Sequence, residues 1–160
     1  MSIEQDLNHI LSYFDPSYLP IGIYAVTPAG QFILCNAYAR RLLELPAQGS
    51  ITKKIGDFYA DPAAREKLLQ RVLEADAKGG YLENEIIHFK INGRDVYVQN
   101  NCRAVRHAET NALIGYMGSL VDITDEHKYL AINQALAQRN LELTTDIGRV
   151  LHANTSTQGT

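Results

Sequence analysis

The sequence predicts an α+β fold, in which a five-stranded antiparallel sheet carries short helices on one face and is flanked by an N-terminal and a C-terminal helix. Two short strands around Thr27-Pro28-Ala29-Gly30 come first, and three longer strands in a meander come last. Short helical segments and one longer helix lie between the two groups. Strands grouped apart from helices favour this class over an alternating parallel α/β fold.

Turn residues mark two hairpins. In the first turn, Pro28 fixes φ and Gly30 permits a positive φ. Asn92-Gly93 separates "YLENEIIHFKI" from "DVYVQNNCRAVRH" and predicts a tight two-residue turn. The third strand of the meander is predicted in "ALIGYMGSLVDI". We expect these strands to be antiparallel, each with one buried face.

The segments between the strands are predicted to be helical. "NAYARRLLEL" predicts a short helix, and "PAQGSITKKIGDFYADP" only short turns because it is often interrupted. In "DPAAREKLLQRVLEADAKGG" a longer helix is predicted, with Asp61 as N-cap, Pro62 as first residue and Gly79-Gly80 as its end. Its predicted buried stripe consists of Leu68, Leu69, Val72 and Leu73.

A helix is also predicted at each end of the chain. Residues 1–16 place Ile3, Leu7, Ile10, Leu11 and Phe14 on one helical face. This cap helix either packs on its own domain or forms part of a dimer. Residues 125–152 are predicted to form a second helix, and residues 153–160 a disordered tail or the start of a further domain.

The C-terminal helix has an apolar residue every seven positions. This column predicts the seam of a short two-stranded coiled coil, and it comprises Tyr129, Leu136, Leu143 and Val150. Ile132 fits a second seam position, but Arg139 and Asp146 do not, and Asn133, Asn140 and Ile147 form a mixed column. The alternative is a solvated helix docked on its own domain. The coiled-coil interpretation predicts that the protein forms a homodimer.

Composition excludes several classes of function. The net charge of −3 and the pI of about 5.9 do not favour nucleic-acid binding. No apolar run is long enough to span a membrane, and the N-terminus lacks the pattern of a signal peptide, so a cytoplasmic location is expected. Cys35 and Cys102 form neither a metal-binding spacing nor a disulfide framework.

Two stretches carry a resemblance to a known family. "GIYAVTPAGQFILCNAYARRLLEL" resembles the opening hairpin and first helix of a PAS domain, and "FKINGRDVYVQNNCRAVRHAETNALIGYMGSLVDITDEHK" resembles its last three strands and exit. The resemblance covers about residues 18–128, and it predicts a PAS domain over residues 18–124. It implies a non-enzymatic sensory or dimerisation domain of a multi-domain signalling protein. Asp122, Ile123 and Thr124 would then join the sensor to a helix leading to a C-terminal output domain.

The end of the chain carries a second resemblance. "LELTTDIGRVLHANTSTQGT" resembles the opening helix of a GAF domain. This similarity implies that another regulatory module follows the sensor.

No cofactor is expected. "NNCRAV" is similar to the Asn-Cys-Arg of flavin-binding PAS photosensors, but Cys102 lies in a late strand, and Gln99 and Ala104 depart from that motif. Heme-binding PAS domains usually place a histidine on or near the long helix, and the predicted helix over 63–78 has none. The sequence contains no recognisable metal-binding spacing and no recognisable set of catalytic residues.

A small-molecule pocket between the sheet and the helices is the remaining candidate site. Strand alternation predicts that Val98, Cys102, Ile114, Tyr116 and Leu120 face it. If the even-numbered residues of the first meander strand face the same way, then Asn84, Ile86 and His88 line the pocket too. The candidate ligand-binding residues are Asn84, His88, Asn100, Cys102 and Tyr116. The alternatives are a filled core, whose polar groups bond to backbone, and a ligand-free dimerisation spacer.

Overall fold

The computed structural model describes residues 20–156. The first hairpin and helix are β1 (Gly22–Val26), β2 (Phe32–Cys35) and α1 (Ala37–Leu42). The middle contains a 3₁₀ helix (Ile55–Phe58) and α2 (Pro62–Ala77). The meander and the last helix are β3 (Leu82–Ile91), β4 (Arg94–Arg106), β5 (Leu113–Asp122) and α3 (Thr124–Ser156). The predicted helix over 1–16 lies outside the described residues.

The five strands form one antiparallel sheet in the order β2-β1-β5-β4-β3. The predicted fold class is therefore confirmed. Strand β1 pairs with β2 along one edge and with β5, the last strand, along the other. This pairing places β5, the strand that leads into α3, between β1 and β4.

Both predicted hairpins are present. The Gly30 amide donates to the Thr27 carbonyl at 2.8 Å, and Gly30 has φ +89°. Asn92 and Gly93 have φ +47° and +80° and leave Ile91 paired with Arg94. Two consecutive positive φ angles are the signature of a type I′ turn, whose twist suits antiparallel strands.

The long middle helix begins and ends as predicted. The Asp61 carboxylate accepts the Ala63 amide at 3.0 Å, and Pro62 is the first helical residue. Gly79 follows the helix with φ +75°, the left-handed conformation that favours glycine. Leu68 and Val72 are buried in the core, against which Leu69 and Leu73 also pack.

Asn36 ties the first hairpin to the first helix. Its side-chain oxygen accepts the amides of Ala39 and Ile23, each at 3.0 Å, and its nitrogen donates to the Ile21 carbonyl at 2.9 Å. One residue thus caps α1 and continues the pairing of β1. These bonds fix the helix against the edge of the sheet.

The prediction that the even-numbered residues of β3 face the interior is wrong. Val96 pairs with Phe89 and Val98 pairs with Ile87, so odd-numbered residues of β3 share the buried face with even-numbered residues of β4. Ile86 is consequently 61% exposed. The two-residue turn causes this offset, since opposed residues share a face in antiparallel strands.

In β5, the prediction that Ile114 faces the interior is also wrong. The pairing register shifts between Val105 and Arg106, and Leu113 packs on the core while Ile114 is 43% exposed. Such an irregularity reverses the alternation of side chains at one end of a strand. Tyr116 and Leu120 remain buried as predicted.

The last helix, α3, runs through Ser156, four residues past the predicted end at 152. It therefore occupies part of the segment predicted as a tail or the start of a further domain. Asp125 and Glu126 lie in its first turn, where the helix dipole favours acidic side chains. No helix within residues 20–156 is both long and apolar enough to cross a membrane.

Candidate functional site

Asn100 is the central polar residue of the interior. It lies on β4 and has no solvent exposure. Its side-chain Nδ2 donates to the Tyr24 hydroxyl at 2.9 Å and to the Ser119 carbonyl at 3.0 Å. The carbonyl of Ser119 can only accept, which fixes the orientation of the amide. Its Oδ1 is left buried without a hydrogen-bond partner in the structure.

Tyr24 reaches Asn100 across an intervening strand. Tyr24 pairs with Gly118 of β5, and Gly118 pairs with Cys102 of β4. The Cys102 thiol interacts electrostatically with the Tyr24 hydroxyl. Three strands thus contribute to one buried polar cluster.

Burial raises the pKa of Tyr24 and Cys102 in this cluster, and also that of the phenols of Tyr59 and Tyr116, which interact electrostatically with Cys102. Loss of solvation is the main cause for the phenols of Tyr24, Tyr59 and Tyr116 and for the Cys102 thiol. The charge that Cys102 would carry raises the pKa of all three phenols further. The four groups therefore stay neutral at pH 7, and each offers one hydrogen-bond donor.

The hydroxyl groups of two of these phenols have no recorded hydrogen-bond partner in the described part of the chain. Within residues 20–156 the structure records no hydrogen bond for the hydroxyls of Tyr59 and Tyr116. Tyr59 follows the 3₁₀ helix and packs edge-on against Phe89, with ring centroids 5.2 Å apart. The interior thus combines apolar walls with an orphaned amide oxygen and free hydroxyls, as small-molecule sites commonly do.

A surface groove of about 310 Å³ lies between α2 and β3. Tyr59 lines this groove, so the same residue lies at the groove and near the buried cluster. The groove also contains an ion pair, in which the two terminal guanidinium nitrogens of Arg71 donate to the Glu85 carboxylate at 2.6 and 2.7 Å. Its lining is therefore polar towards solvent and apolar at Leu68 and Ile87.

The structure separates the predicted ligand-binding residues into two groups. Asn100, Cys102 and Tyr116 are buried on the inward face of the sheet. His88 instead stacks on Tyr97, with ring centroids 4.6 Å apart, and contacts Asp95 at 2.7 Å.

Asn84 is exposed at a bulge, with φ +58°, and its amide donates to the Asn101 side chain. The predicted inward orientation of His88 and Asn84 is therefore wrong. The offset at Asn92-Gly93 accounts for His88, and the bulge removes Asn84 from regular alternation.

The sequence analysis does not predict Tyr24 and Tyr59 as site residues. Alternation in β1 groups Tyr24 with Gly22 and Val26, and these three residues do form its buried face. The alternation of β1 alone is therefore sufficient to predict that Tyr24 faces inward. Tyr59 follows a short 3₁₀ helix, where no periodic pattern predicts the direction of a side chain.

Strand β5 ends at Asp122 and α3 begins at Thr124, so Ile123 alone separates them. The Ile123 amide donates to the Tyr97 carbonyl at 2.9 Å, which extends the contact between the end of the meander and β4. The change from strand to helix therefore occurs at the predicted joint.

The outer face of the sheet carries a second groove, of about 290 Å³. Ile23 and Met117 line it together with Tyr81 and Arg103. The side chains of Ile23 and Met117 lie on the face of the sheet opposite the buried cluster, and Cys102 of that cluster also borders the groove.

The predicted seam residues Tyr129, Leu136, Leu143 and Val150 are all exposed on α3. No group of three His, Cys, Asp or Glu side chains in the described part of the chain could hold a metal ion.

Comparison with protein families places most of the chain in one of them. A family model described as a PAS domain matches residues 20–125, which comprise the whole sheet and the helices between its strands. A search of curated proteins returned no match.

Solved structures share the same architecture at low sequence identity. A PAS domain from Colwellia psychrerythraea is 19% identical with a TM-score of 0.60, over 75% of this chain and 98% of that one. The Drosophila melanogaster Cycle PAS-B domain with bound ethylene glycol is 13% identical with a TM-score of 0.53, over 63% and 98%. A sensory box histidine kinase/response regulator from Burkholderia thailandensis is 14% identical with a TM-score of 0.53, over 75% and 92%.

Proposed function

This chain belongs to the PAS domain family, and from that membership we propose that it is a non-catalytic sensory domain of a signalling protein. It admits a small polar molecule to its interior and relays binding through Asp122, Ile123 and Thr124 to α3. It acts as a homodimer and passes the change to an output domain in the parent chain.

The observation that carries this proposal is the orphaned Oδ1 of Asn100. A buried acceptor without a hydrogen bond costs about 1–3 kcal/mol. A ligand that donates a hydrogen bond to this oxygen removes that cost, so the buried acceptor favours such a molecule.

The surrounding groups define the class of ligand. The free hydroxyls of Tyr59 and Tyr116 complement a molecule that also accepts hydrogen bonds, and the neutral cluster disfavours a charged one. The walls beside them include Val98 and Leu120, which are fully buried. The ligand is therefore a small neutral molecule with hydroxyl or amide groups and an apolar part, such as a short alcohol or diol.

We place the entry route at the groove between α2 and β3. Tyr59 lies at this groove, and rotation of its side chain would open a path past Leu68 and Ile87. The packing of Tyr59 against Phe89 is the contact that such a rotation breaks.

The relay begins at the same amide that recognises the ligand. Asn100 Nδ2 donates to the Ser119 carbonyl, so a rotation of the Asn100 side chain changes a hydrogen bond to the backbone of β5. Ser119 lies three residues before Asp122, where the strand ends. A small shift of β5 therefore reaches the start of α3 along a continuous strand.

A titration with ethylene glycol tests ligand binding and the relay together. Amide NMR signals of Tyr24, Asn100 and Ser119 are expected to shift with saturation, and those of Ile123 and Thr124 to follow the same curve. Asn100→Leu should weaken binding about tenfold or more, because the orphaned acceptor is removed. Gln70→Leu makes the same amide-to-leucine change on the exposed surface of α2 and should bind as the wild type does.

A linear, non-saturating response, or equal responses of the wild type and Asn100→Leu, would contradict interior binding. Saturation without movement of Ile123 and Thr124 would contradict the relay alone.

A ligand-free dimerisation spacer is the second candidate. The hydrogen bond between Asn100 and Tyr24 favours it, because this bond already satisfies part of the buried cluster from within the protein. The titration separates the two functions, since a spacer shows no saturable binding in its interior.

A further inference from the structure

We propose that α3 pairs with α3 of a second copy in parallel and in register, so that Asn133 and Asn140 each face their own counterpart. This inference rests on the homodimer of the proposed function and specifies its geometry. The part of α3 that carries it is a continuous helix whose apolar residues are exposed.

Two columns of residues lie next to each other along α3. The first recurs every seven residues and is apolar, with Tyr129, Leu136, Leu143 and Val150, all at least 52% exposed. The second follows it by four residues and contains Asn133, Asn140 and Ile147. Spacings of four and three residues alternate between them, as d and a positions do in a coiled coil.

Charge decides which column pairs with the apolar one. The competing column precedes the second by one residue and contains Ile132, Arg139 and Asp146. In a parallel homodimer that column would bury Arg139 against Arg139 and Asp146 against Asp146. Buried like charges are far more costly than neutral amides, so the asparagine column forms the seam.

Orientation follows from the same amides. In a parallel, in-register pair each a residue meets its own copy, and two asparagines can donate to and accept from each other. In an antiparallel pair each would instead lie against an apolar d residue and remain unsatisfied. The seam therefore selects the parallel arrangement by itself, with Leu136 packed between the two asparagine layers and Leu143 between Asn140 and Ile147.

Two pairs of polar side chains away from this seam make contacts within their own helix. Gln138 donates to Glu142 at 3.1 Å, and Arg149 lies 3.6 Å from Asp146. These contacts need no second copy. The described side chains of Asn133 and Asn140 make no such recorded contact, which leaves them available to pair across the seam.

Disulfide trapping tests the geometry in the full chain. Leu136→Cys and Leu143→Cys are made separately in a Cys35→Ser background, so that the half-buried native thiol does not interfere. Both variants are expected to oxidise almost completely to covalent dimers, because each cysteine meets its own copy. Gln138→Cys, on the opposite side of the helix, is the matched control and should stay largely uncrosslinked.

An antiparallel pair cannot trap both positions, since at most one of them lies at its symmetry axis. Cross-linking of only one position, or equal cross-linking of Gln138→Cys, overturns the inference.

A charge substitution tests the asparagine column itself. Asn140→Arg should weaken dimerisation by about a hundredfold or more, because it buries like charges in the seam. Gln138→Arg adds the same charge outside and should leave dimerisation unchanged. Asn133→Ile with Asn140→Ile should tighten the dimer, because isoleucine at these positions with leucine in the other column favours two strands.

Light scattering of the same samples separates this inference from the proposed function. A wild-type dimer that fails both tests overturns the seam and leaves dimerisation standing. A monomeric wild type overturns the seam and the homodimer together, while the titration with ethylene glycol tests sensing independently.

Discussion

Tyr24 extends across Gly118, its pairing partner on β5, to reach Asn100 on β4. A Cβ added to Gly118 would lie 2.9 Å from the Tyr24 hydroxyl and 2.1 Å from the carbonyl oxygen of Asn101. The second distance is far below any contact that a carbon atom tolerates. The absence of a side chain at residue 118 is therefore what allows the cluster to span three strands.

Gly118→Ala is expected to lower the free energy of unfolding by about 1–3 kcal/mol, as overpacking of a core does. The clash with a backbone carbonyl cannot be relieved by rotating a side chain. Gly80→Ala is the control, because its added Cβ would only make an ordinary 3.5 Å contact with the Ala75 carbonyl. Urea denaturation measures both, and equal stability of the two variants would contradict the proposed role of Gly118.

Tyr24→Phe should lower the free energy of unfolding by about 0.5–1.5 kcal/mol, the usual value of one hydrogen bond. The change leaves the ring in place but removes the acceptor of Asn100 Nδ2. Tyr38→Phe makes the same change at a half-buried residue of α1 whose hydroxyl has no recorded hydrogen bond, and it should be neutral. An unchanged midpoint for Tyr24→Phe would show that this bond does not stabilise the fold.

Asn92→Pro should lower the melting temperature by several degrees or prevent folding. Proline holds φ near −65°, whereas Asn92 has φ +47° in the turn between β3 and β4. Asn92→Gly is the control, since glycine adopts this conformation and only the bond to Glu44 is lost. A proline variant that melts with the wild type would exclude this turn.

The Glu44 carboxylate makes stability depend on acid. Hydrogen bonds from Asn92, and then from Arg94, lower its pKa from the ordinary value of 4.5. A depressed folded-state pKa stabilises the fold above the unfolded value, and this stabilisation is lost as pH falls through the folded value.

Glu44→Gln should therefore have a lower urea midpoint than the wild type near neutral pH. This difference in midpoint should shrink below about pH 4.5. Glu66→Gln, on the exposed surface of α2, is the control and should follow the wild-type profile. A pH-independent difference for Glu44→Gln would contradict this linkage.

Leu136→Asp with Leu143→Asp should convert a dimer into a monomer, because both changes place unpaired charge in the seam. Gln138→Asp with Thr145→Asp adds the same charges at the same spacing on another face of α3 and should leave the dimer intact. Light scattering decides between them. If the seam variant stays dimeric, the interface lies elsewhere, and the groove beside Ile23 and Met117 on the outer sheet face becomes the better candidate.

Features fixed by local chemistry were predictable from the sequence. Pro28, Gly30, Asn92 and Gly93 indicate turns because few residues adopt the required φ angles, and Asp61 indicates a helix start because its oxygen satisfies free amides. These elements sufficed to predict the fold class. The resemblance of the chain to PAS domains added the strand-to-helix joint, which the structure locates at Ile123.

The site was only partly predictable, because its composition depends on pairing between strands. The two-residue turn at Asn92-Gly93 fixes Ile91 opposite Arg94, and from that pair the inward orientation of Phe89 rather than His88 follows. The turn residues are therefore sufficient to predict this orientation. The bulge at Asn84 is not predictable in this way, since a single asparagine inside a regular strand pattern does not indicate a shift of register. The similarity of the last residues to a GAF domain stays a prediction.

The strand order has a consequence for how the chain folds. Because β1 pairs with both β2 and β5, one edge of the first hairpin stays unsatisfied until nearly the whole domain has been synthesised. Contacts between such distant segments close a long loop, which slows folding relative to proteins built from local contacts. The exposed edge of β1 is also a template for pairing with other nascent chains during that interval. Arrival of β5 from the ribosome completes the sheet, closes the buried cluster around Tyr24 and Asn100, and only then is followed by α3.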